Sequence, residues 1–234
     1  MTESASQPLG VTYTDQSIPH YLNKYWAQRN FLFSKYNDGI WLNEESWFSA
    51  TPEPIARSIA EHFANACNPR VVVDAFCGAG GNTIQFAQYC DRVIAIDVNP
   101  TTLACAQHNA EIYGVSDKIE FILGDFFDYV SHIQADAVFL SPPWGGPSYL
   151  MADIYDLDNM APYNLPTLLK ASRIISPNTA LYLPRNSNRE QIKSAAESTT
   201  TNSDCLVTYL FAKSKCKALC AYYGDLSISG NIRG

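Results

Sequence analysis

The sequence lacks most of the features that mark proteins of oxidising, membrane-bound or metal-dependent settings. Its seven cysteines (Cys67, Cys77, Cys90, Cys105, Cys205, Cys216 and Cys220) include no Cys-x-x-Cys pair. An odd count with scattered spacing does not make a disulfide framework, and points to reduced, buried thiols in an intracellular protein. Only four histidines occur, none at ligand spacing from a cysteine pair, so neither zinc nor another metal is expected. No run approaches the roughly 18 apolar residues of a membrane span, and no membrane partner is expected. Met1 to Gly10 is polar, without the apolar stretch of a secretory signal. Positive charge is scarce as well: 16 Lys and Arg face 23 Asp and Glu, for a net charge of −7. That excludes a protein that tracks a long polynucleotide backbone, whose affinity comes from many phosphate contacts. Recognition of one nucleotide or a short phosphate chain by a local basic pocket stays open.

What is present suits one sizeable core: 234 residues, 47% hydrophobic and 17% charged. The organisation expected is a flexible tail over 1–18, an extension and helix over 19–67, and a catalytic domain over 68–234. The extension is dense in rings, with Tyr21, Tyr25, Trp26, Phe31, Phe33, Tyr36, Trp41, Trp47 and Phe48. Such density is too high for a linker. It predicts an element that packs on the core, lines a site, or both.

Thr51-Pro52-Glu53 reads as a helix start, with Thr51 as cap. From Arg70 onward, strands alternate with helices. Strands are expected at 71–74, 93–96, 119–123, 135–140 and 179–183, with helices near 81–89, 100–113, 165–174 and 188–196 between or after them. Two last strands, near 205–211 and 216–223, close the chain, and the Ser/Thr-rich stretch 197–203 reads as a loop. This alternation specifies an α/β fold, a doubly wound, mostly parallel sheet, in which ligands bind at the carboxyl ends of the strands.

Three acids follow three successive strands. Asp74 opens the Gly-rich turn Asp74-Ala75-Phe76-Cys77-Gly78-Ala79-Gly80-Gly81, where glycine lets the backbone approach a ligand closely. The turn lacks G-x-G-x-x-G spacing, and an acid facing a pyrophosphate would repel it. The same acid suits the ammonium of a methionine, which S-adenosylmethionine carries. Asp97 stands where a carboxylate can accept from both ribose hydroxyls. Asp125 stands where one can accept from an adenine amino group, with Phe126 packed nearby.

After the fourth strand comes Ser141-Pro142-Pro143-Trp144. It resembles the Asn/Asp/Ser-Pro-Pro-aromatic motif of amino methyltransferases. An exocyclic amine conjugated into a base is a poor nucleophile. Acceptors on its two N–H groups, here the Ser141 hydroxyl oxygen and the Pro142 carbonyl, localise the lone pair. Proline stiffens the turn before substrate arrives, and Trp144 offers a flat ring to a base.

With these segments in view, the chain resembles the trimethylguanosine synthase family over roughly residues 20–224. The resemblance is carried by Lys24-Tyr25-Trp26-Ala27-Gln28-Arg29, Trp47-Phe48-Ser49-Ala50-Thr51-Pro52-Glu53, the Gly-rich turn with Asn82-Thr83-Ile84-Gln85-Phe86, Ser141-Pro142-Pro143-Trp144-Gly145-Gly146-Pro147, and Leu183-Pro184-Arg185-Asn186. It implies a Rossmann-like class I fold and N2 methylation of a 7-methylguanosine cap on small nuclear and nucleolar RNAs. It also implies a nuclear location and small ribonucleoprotein proteins as partners. By the same resemblance, Trp144 stacks on the 7-methylguanine, and Lys24 and Arg185 hold the cap triphosphate. Phe33, Ser49 and Thr51 join the aromatic extension to cofactor and cap, and Asn109 helps hold the cofactor together with Gly78. The long N-terminal extension of larger family members is not seen. The competing readings are an N6-adenine or ribosomal-RNA guanine methyltransferase built on the same turn, and a cap-binding module without catalysis.

Overall fold

The structure, a computed structural model, describes residues 11–197 and 205–228, with all side chains in that range except those of residues 147, 148 and 150. The first ten residues of the expected tail and most of the Ser/Thr-rich stretch lie outside the described residues. In chain order the elements are α1 (Asn23–Trp26), α2 (Arg29–Leu32), α3 (Ser46–Ser49), α4 (Glu53–Ala66), β1 (Val71–Asp74), α5 (Gly81–Tyr89), β2 (Arg92–Asp97), α6 (Pro100–Tyr113) and β3 (Ile119–Leu123). They continue as α7 (Phe126–Tyr129), β4 (Ala137–Leu140), α8 (Leu165–Ile175), β5 (Thr179–Pro184), α9 (Arg189–Glu197), β6 (Cys205–Ala212) and β7 (Lys215–Tyr223).

The seven strands form one sheet in the order β3-β2-β1-β4-β5-β7-β6. The first five pair in parallel, and β7 and β6 close the edge antiparallel. The inner strands β1, β2, β4 and β5 are apolar at nearly every position because both faces are covered. Their alternation sorts the side chains into two cores. Val72, Val93, Ala95, Ala137, Phe139, Ala180 and Tyr182 face the core shared with α4, α5, α6 and the N-terminal extension. Val73, Ile94, Ile96, Val138, Leu140, Leu181 and Leu183 face the core shared with α8 and α9.

Local chemistry sets the helix ends. Asn99 accepts from the Thr101 and Thr102 amides, Pro100 occupies the first turn of α6, and Gly114 ends it at φ +71°. Thr51, expected to cap α4, does not: the cap position is Pro52, without a side-chain bond. The Thr51 hydroxyl oxygen instead accepts from Asn82 Nδ2 at 2.9 Å, across to the first turn of α5. A proline cap has no side-chain acceptor, and burial turns Thr51 toward a tertiary partner.

A second correction concerns residues 11–18, expected as part of a loose tail. They are tied down: Val11 bridges Leu42, Thr12 Oγ1 donates to the Ile40 carbonyl, and the Tyr13 amide donates to the Tyr36 hydroxyl. The rings of the extension range from buried to exposed, with Tyr25, Trp26, Phe31 and Trp41 half-buried. Trp47 and Tyr36 are fully buried and pack with Trp26 and Tyr13, at centroid separations of 5.4–6.2 Å. Tyr21 and Phe48 stay exposed.

One carboxylate fastens this extension to the sheet domain. Glu53, buried at the start of α4, accepts from the Ser34 amide at 2.6 Å, the Ser34 hydroxyl at 2.9 Å, the Tyr113 hydroxyl at 2.6 Å and Arg57 Nη2 at 2.8 Å. Burial by itself raises the pKa of the carboxyl. The bonds from Tyr113 and Ser34 and the charge of Arg57 outweigh that, and hold it below the ordinary glutamate value. Replacing Glu53 by Gln removes the charge that four donors converge on, and is expected to cost about 2–4 kcal/mol of stability. Because the folded pKa is depressed, this contribution is full at neutral pH and is lost as pH falls through the folded pKa. Denaturant unfolding of wild type and E53Q should therefore show a gap that narrows on acidification below about pH 4.

Candidate functional site

β1 ends in Asp74, whose carboxyl is fully buried. Its Oδ2 accepts from the Thr83 hydroxyl at 2.6 Å, and its Oδ1 has no hydrogen-bond partner. Burial raises its pKa to about 7 and the charge of Asp97 adds to the rise; the Thr83 hydroxyl and the nearby Phe76 and Thr83 amides oppose it. An unpaired buried carboxyl oxygen is costly unless a donor meets it, so this atom fits the ammonium of a methionine moiety. The turn above it is open. Gly78 takes φ +54°, and a Cβ there would meet nothing within 4 Å, which leaves room for a ligand against the backbone. Gly80, at φ +89°, would press a Cβ to 3.3 Å from Ala106 on α6.

Asp97, at the end of β2, braces this turn. Its Oδ2 accepts from the Gly78 amide at 2.9 Å and its Oδ1 from the Asn99 amide at 2.8 Å. Burial raises its pKa, against those two bonds. Each oxygen keeps a further lone pair for a ribose hydroxyl. Asp125 follows β3 and caps α7 through the Phe127 amide at 3.0 Å. Its Oδ2 accepts from the Tyr163 hydroxyl. Beside it Phe76, Phe126, Phe127 and Tyr163 pack with one another, with centroids 4.5–6.3 Å apart.

Across the crevice, Ser141 and Pro142 leave β4. The Ser141 hydroxyl donates to the Phe76 carbonyl at 3.0 Å, which ties the Pro-Pro turn to the Gly-rich turn. With its hydrogen engaged there, the oxygen presents lone pairs as an acceptor. Trp144 is locked as well. Its Nε1 donates to the Tyr182 carbonyl at 3.2 Å, and its own carbonyl accepts from the Tyr155 hydroxyl at 3.3 Å. Tyr182 lies against the indole at 5.2 Å and 31°, while Tyr149 meets it edge-on at 5.3 Å.

The extension closes the third side. Thr51 and Phe33 both lie against Gly81, whose Cβ would sit 3.2 Å from the Thr51 carbonyl and 3.9 Å from the Phe33 ring. Ser49 ends α3 two residues before Thr51, and its hydroxyl donates to the Glu45 carbonyl at 3.0 Å. Asn109, expected at the cofactor, is fully buried. Its Nδ2 donates to the Trp41 and Ala79 carbonyls at 2.9 and 3.0 Å, and its Oδ1 accepts from the Trp41 amide at 2.8 Å. It thereby brackets the extension to the Gly-rich turn. The two expected phosphate cations are exposed: Lys24 Nζ lies 4.7 Å from the Tyr25 ring centre, and Arg185 Nη1 donates to the Cys216 carbonyl at 3.4 Å. Arg185 and Tyr25 both act electrostatically on the Tyr149 hydroxyl, whose pKa burial raises.

Tyr182, Tyr149, Tyr155 and Tyr163 were not singled out in the sequence. Tyr182 reads there as one more apolar position of a buried strand, and the others lie in irregular or helical stretches without a motif. Among the described residues, no group of three or more His, Cys, Asp or Glu is placed to hold a metal ion, and no helix is long and apolar enough to cross a membrane.

Comparison with known proteins matches this geometry. Residues 69–226 fit the profile of a family described as RNA cap guanine-N2 methyltransferase. The chain is 42% identical over 212 residues to trimethylguanosine synthase of Schizosaccharomyces pombe, covering 88% of this chain and 87% of that protein. It is 39% identical over 214 residues to trimethylguanosine synthase of Saccharomyces cerevisiae, covering 87% of this chain and 68% of that one. In fold, it superposes on the crystal structure of a putative methyltransferase from Porphyromonas gingivalis with a TM-score of 0.67 at 16% identity. That superposition covers 94% of this chain and 55% of the other.

An ammonium on Asp74 requires the ionised carboxyl, and this generates a pH dependence. S-adenosylmethionine is expected to bind more tightly as pH rises toward about 7, with close to tenfold per pH unit well below that value, and to bind more weakly again above about pH 8, where the ligand's own α-ammonium loses its proton. In the ligand-free protein the raised pKa acts the opposite way: its stabilising contribution is present below the unfolded pKa and is lost as pH rises through about 7. Calorimetric titration across this range checks the first expectation, and an Asp74→Asn variant should lose both the affinity and its pH dependence.

Proposed function

The chain belongs to the RNA cap guanine-N2 methyltransferase family, and from that premise we propose how its residues divide the reaction and which RNAs it serves. It is an S-adenosylmethionine-dependent enzyme that methylates the exocyclic N2 of the cap guanine. When bound, the cofactor supplies an electrophilic methyl carbon. Asp74 would hold its ammonium, Asp97 its ribose, and Asp125 with Phe126 its adenine, against the open backbone at Gly78. Phe33, Ser49 and Thr51 would close the extension over it, with Asn109 holding that extension in place.

The reading of the amine site rests on one observation: Ser141 gives its hydrogen to the Phe76 carbonyl and so meets a substrate N–H as an acceptor. Together with the Pro142 carbonyl it holds the N2 amine so that the nitrogen lone pair points out of the base's π system. No strong base is needed, because the proton leaves after transfer, from a far more acidic, positively charged nitrogen. Trp144 stacks on the base. A 7-methylguanine carries positive charge, so the indole face gains a cation–π attraction of about 1–2 kcal/mol when desolvated. Lys24 and Arg185 take the triphosphate. Repeated transfer gives the 2,2,7-trimethylguanosine cap, and the S. pombe and S. cerevisiae relatives, both named trimethylguanosine synthase, support that product. Small nuclear and nucleolar RNAs as substrates, ribonucleoprotein proteins as partners and a nuclear site of action follow from the same family reading. The adenine, ribosomal-RNA and catalytically silent alternatives are not favoured by the family match.

Two assays test this. Methyl transfer to 7-methylguanosine triphosphate should far exceed transfer to guanosine triphosphate, and Trp144→Ala should lose about 1–3 kcal/mol of stacking, read as kcat/KM. Equal rates on the two nucleotides would rule out the charged-base platform. Ser141→Ala should lower kcat at least tenfold with little change in KM, as expected for an acceptor used mainly in the transition state; an unchanged kcat would remove Ser141 from the reaction.

A further inference from the structure

A group of cations stands at one corner of the ligand edge of this acidic chain. β7 runs antiparallel to β5, so its first residues and the β6–β7 turn lie at the same edge as the carboxyl end of β5. There Pro184 pairs with Ala218, and Arg185, next in the chain, donates to the Cys216 carbonyl. The hairpin carries Lys213, Lys215 and Lys217 within five residues, the first two exposed. Among the described residues, none of these lysines, nor Arg185, has a carboxylate within 4.0 Å. Lys213 Nζ lies 5.4 Å from the ring centre of Phe31, which sets the turn against the extension that also carries Lys24.

The backbone of the hairpin is arranged around these charges. Lys213 and Ser214 take φ +48° and +63°, the left-handed pair of a two-residue turn where glycine and asparagine are the favoured residues. A lysine at the outermost point of such a turn is conformationally costly. The register shifts between Leu210 and Phe211, so that Leu210 pairs with Ala218 and Phe211 with Cys216, which leaves Lys217 without a partner across the strand. On the adjoining edge strand, Tyr209 and Phe211 occupy alternate positions of one face, 40% and 62% exposed. Phe211 pairs with Cys216 and Lys215 with Ala212, so these rings lie on the opposite face from Lys215, and what the turn presents to a ligand is positive charge, the chemistry that meets nucleic-acid phosphates.

We propose that the β6–β7 hairpin receives the RNA chain beyond its cap. Lys213, Lys215 and Lys217 contact the first phosphates after the triphosphate. The proposal rests on the cap-methylating reading, which places a polyanion at Arg185 that must continue away from the site. The strip of cations that continues from Arg185 selects RNA over an acidic protein segment. Three lysines serve only a few phosphates, in keeping with the chain's net charge of −7.

The test compares 7-methylguanosine triphosphate with a capped single-stranded RNA of about ten nucleotides, in wild type and in the K213E/K215E variant, at several salt concentrations. Wild type should have the lower KM on the capped RNA, with a salt-dependent advantage. The variant should keep the wild-type kcat/KM on the nucleotide, which also shows that it is folded. Its KM for capped RNA should rise about tenfold, and its log KM against log salt should flatten by about 1.4, from about 0.7 per lost phosphate contact on a single strand. If the double variant loses nucleotide activity through misfolding, K215Q alone should raise the RNA KM about threefold. Unchanged KM and salt slope on capped RNA, with normal nucleotide activity, would overturn the proposal and leave the hairpin to a protein partner. Wild type inactive on both substrates would overturn the cap reading, and this proposal with it.

Discussion

The pairing of β1 with β4 is the constraint on which the site depends. Asp74 stands opposite Phe139, the Ala75 amide donates to the Phe139 carbonyl at 3.0 Å, and just beyond, the Ser141 hydroxyl donates to the Phe76 carbonyl. These contacts lock the turn that follows β1 to the turn that follows β4, so the cofactor side and the amine side of the crevice cannot move independently. A slip of one residue would exchange every side chain between the two faces. Asp74 would then leave its buried position beside Thr83, and Ser141 would lose the carbonyl that orients its hydroxyl. The apolar alternation on both faces of the sheet makes that slip prohibitively unfavourable.

Around this joint, charge is distributed by function. The carboxyl groups that face the cofactor side are buried against backbone amides and hydroxyls, where desolvation raises the pKa of Asp74 and Asp97. Glu53 is buried too, but it is surrounded by donors and its pKa is lowered. The same residue type thus does two jobs. An under-satisfied carboxyl is kept ready for a ligand, and a fully satisfied one fastens the extension to the domain. Lys24, Arg185, Lys213 and Lys215 stay exposed. An acidic protein can in this way bind a polyanion locally without attracting nucleic acid over its whole surface.

The aromatic residues show how much of this was legible beforehand. The density of rings between residues 19 and 50 announces an element with its own packing, and the structure confirms that it packs. Which rings would be core and which surface was not legible. Trp47 and Tyr36 are buried while Phe48, next to Trp47 in the chain, is exposed, and nothing in their spacing separates them. The expected cap at Thr51 was displaced by a tertiary partner, Asn82.

The sequence by itself determined the alternation of strands and helices, the acids that follow three strands, the Gly-rich and Pro-Pro turns and the family they belong to. These are properties of neighbouring residues: period, turn chemistry and side-chain type act over a few positions along the chain. Only the tertiary structure decided that Tyr182 backs Trp144 from 38 residues away, that Asn109 brackets Trp41 across 68, and that Glu53 gathers Ser34 and Tyr113. It also decided that the turn at Lys213 lies at the same edge as Arg185. Such pairings depend on strand order and register, which arise when two cores close at once on the two faces of one sheet. No local pattern carries that information.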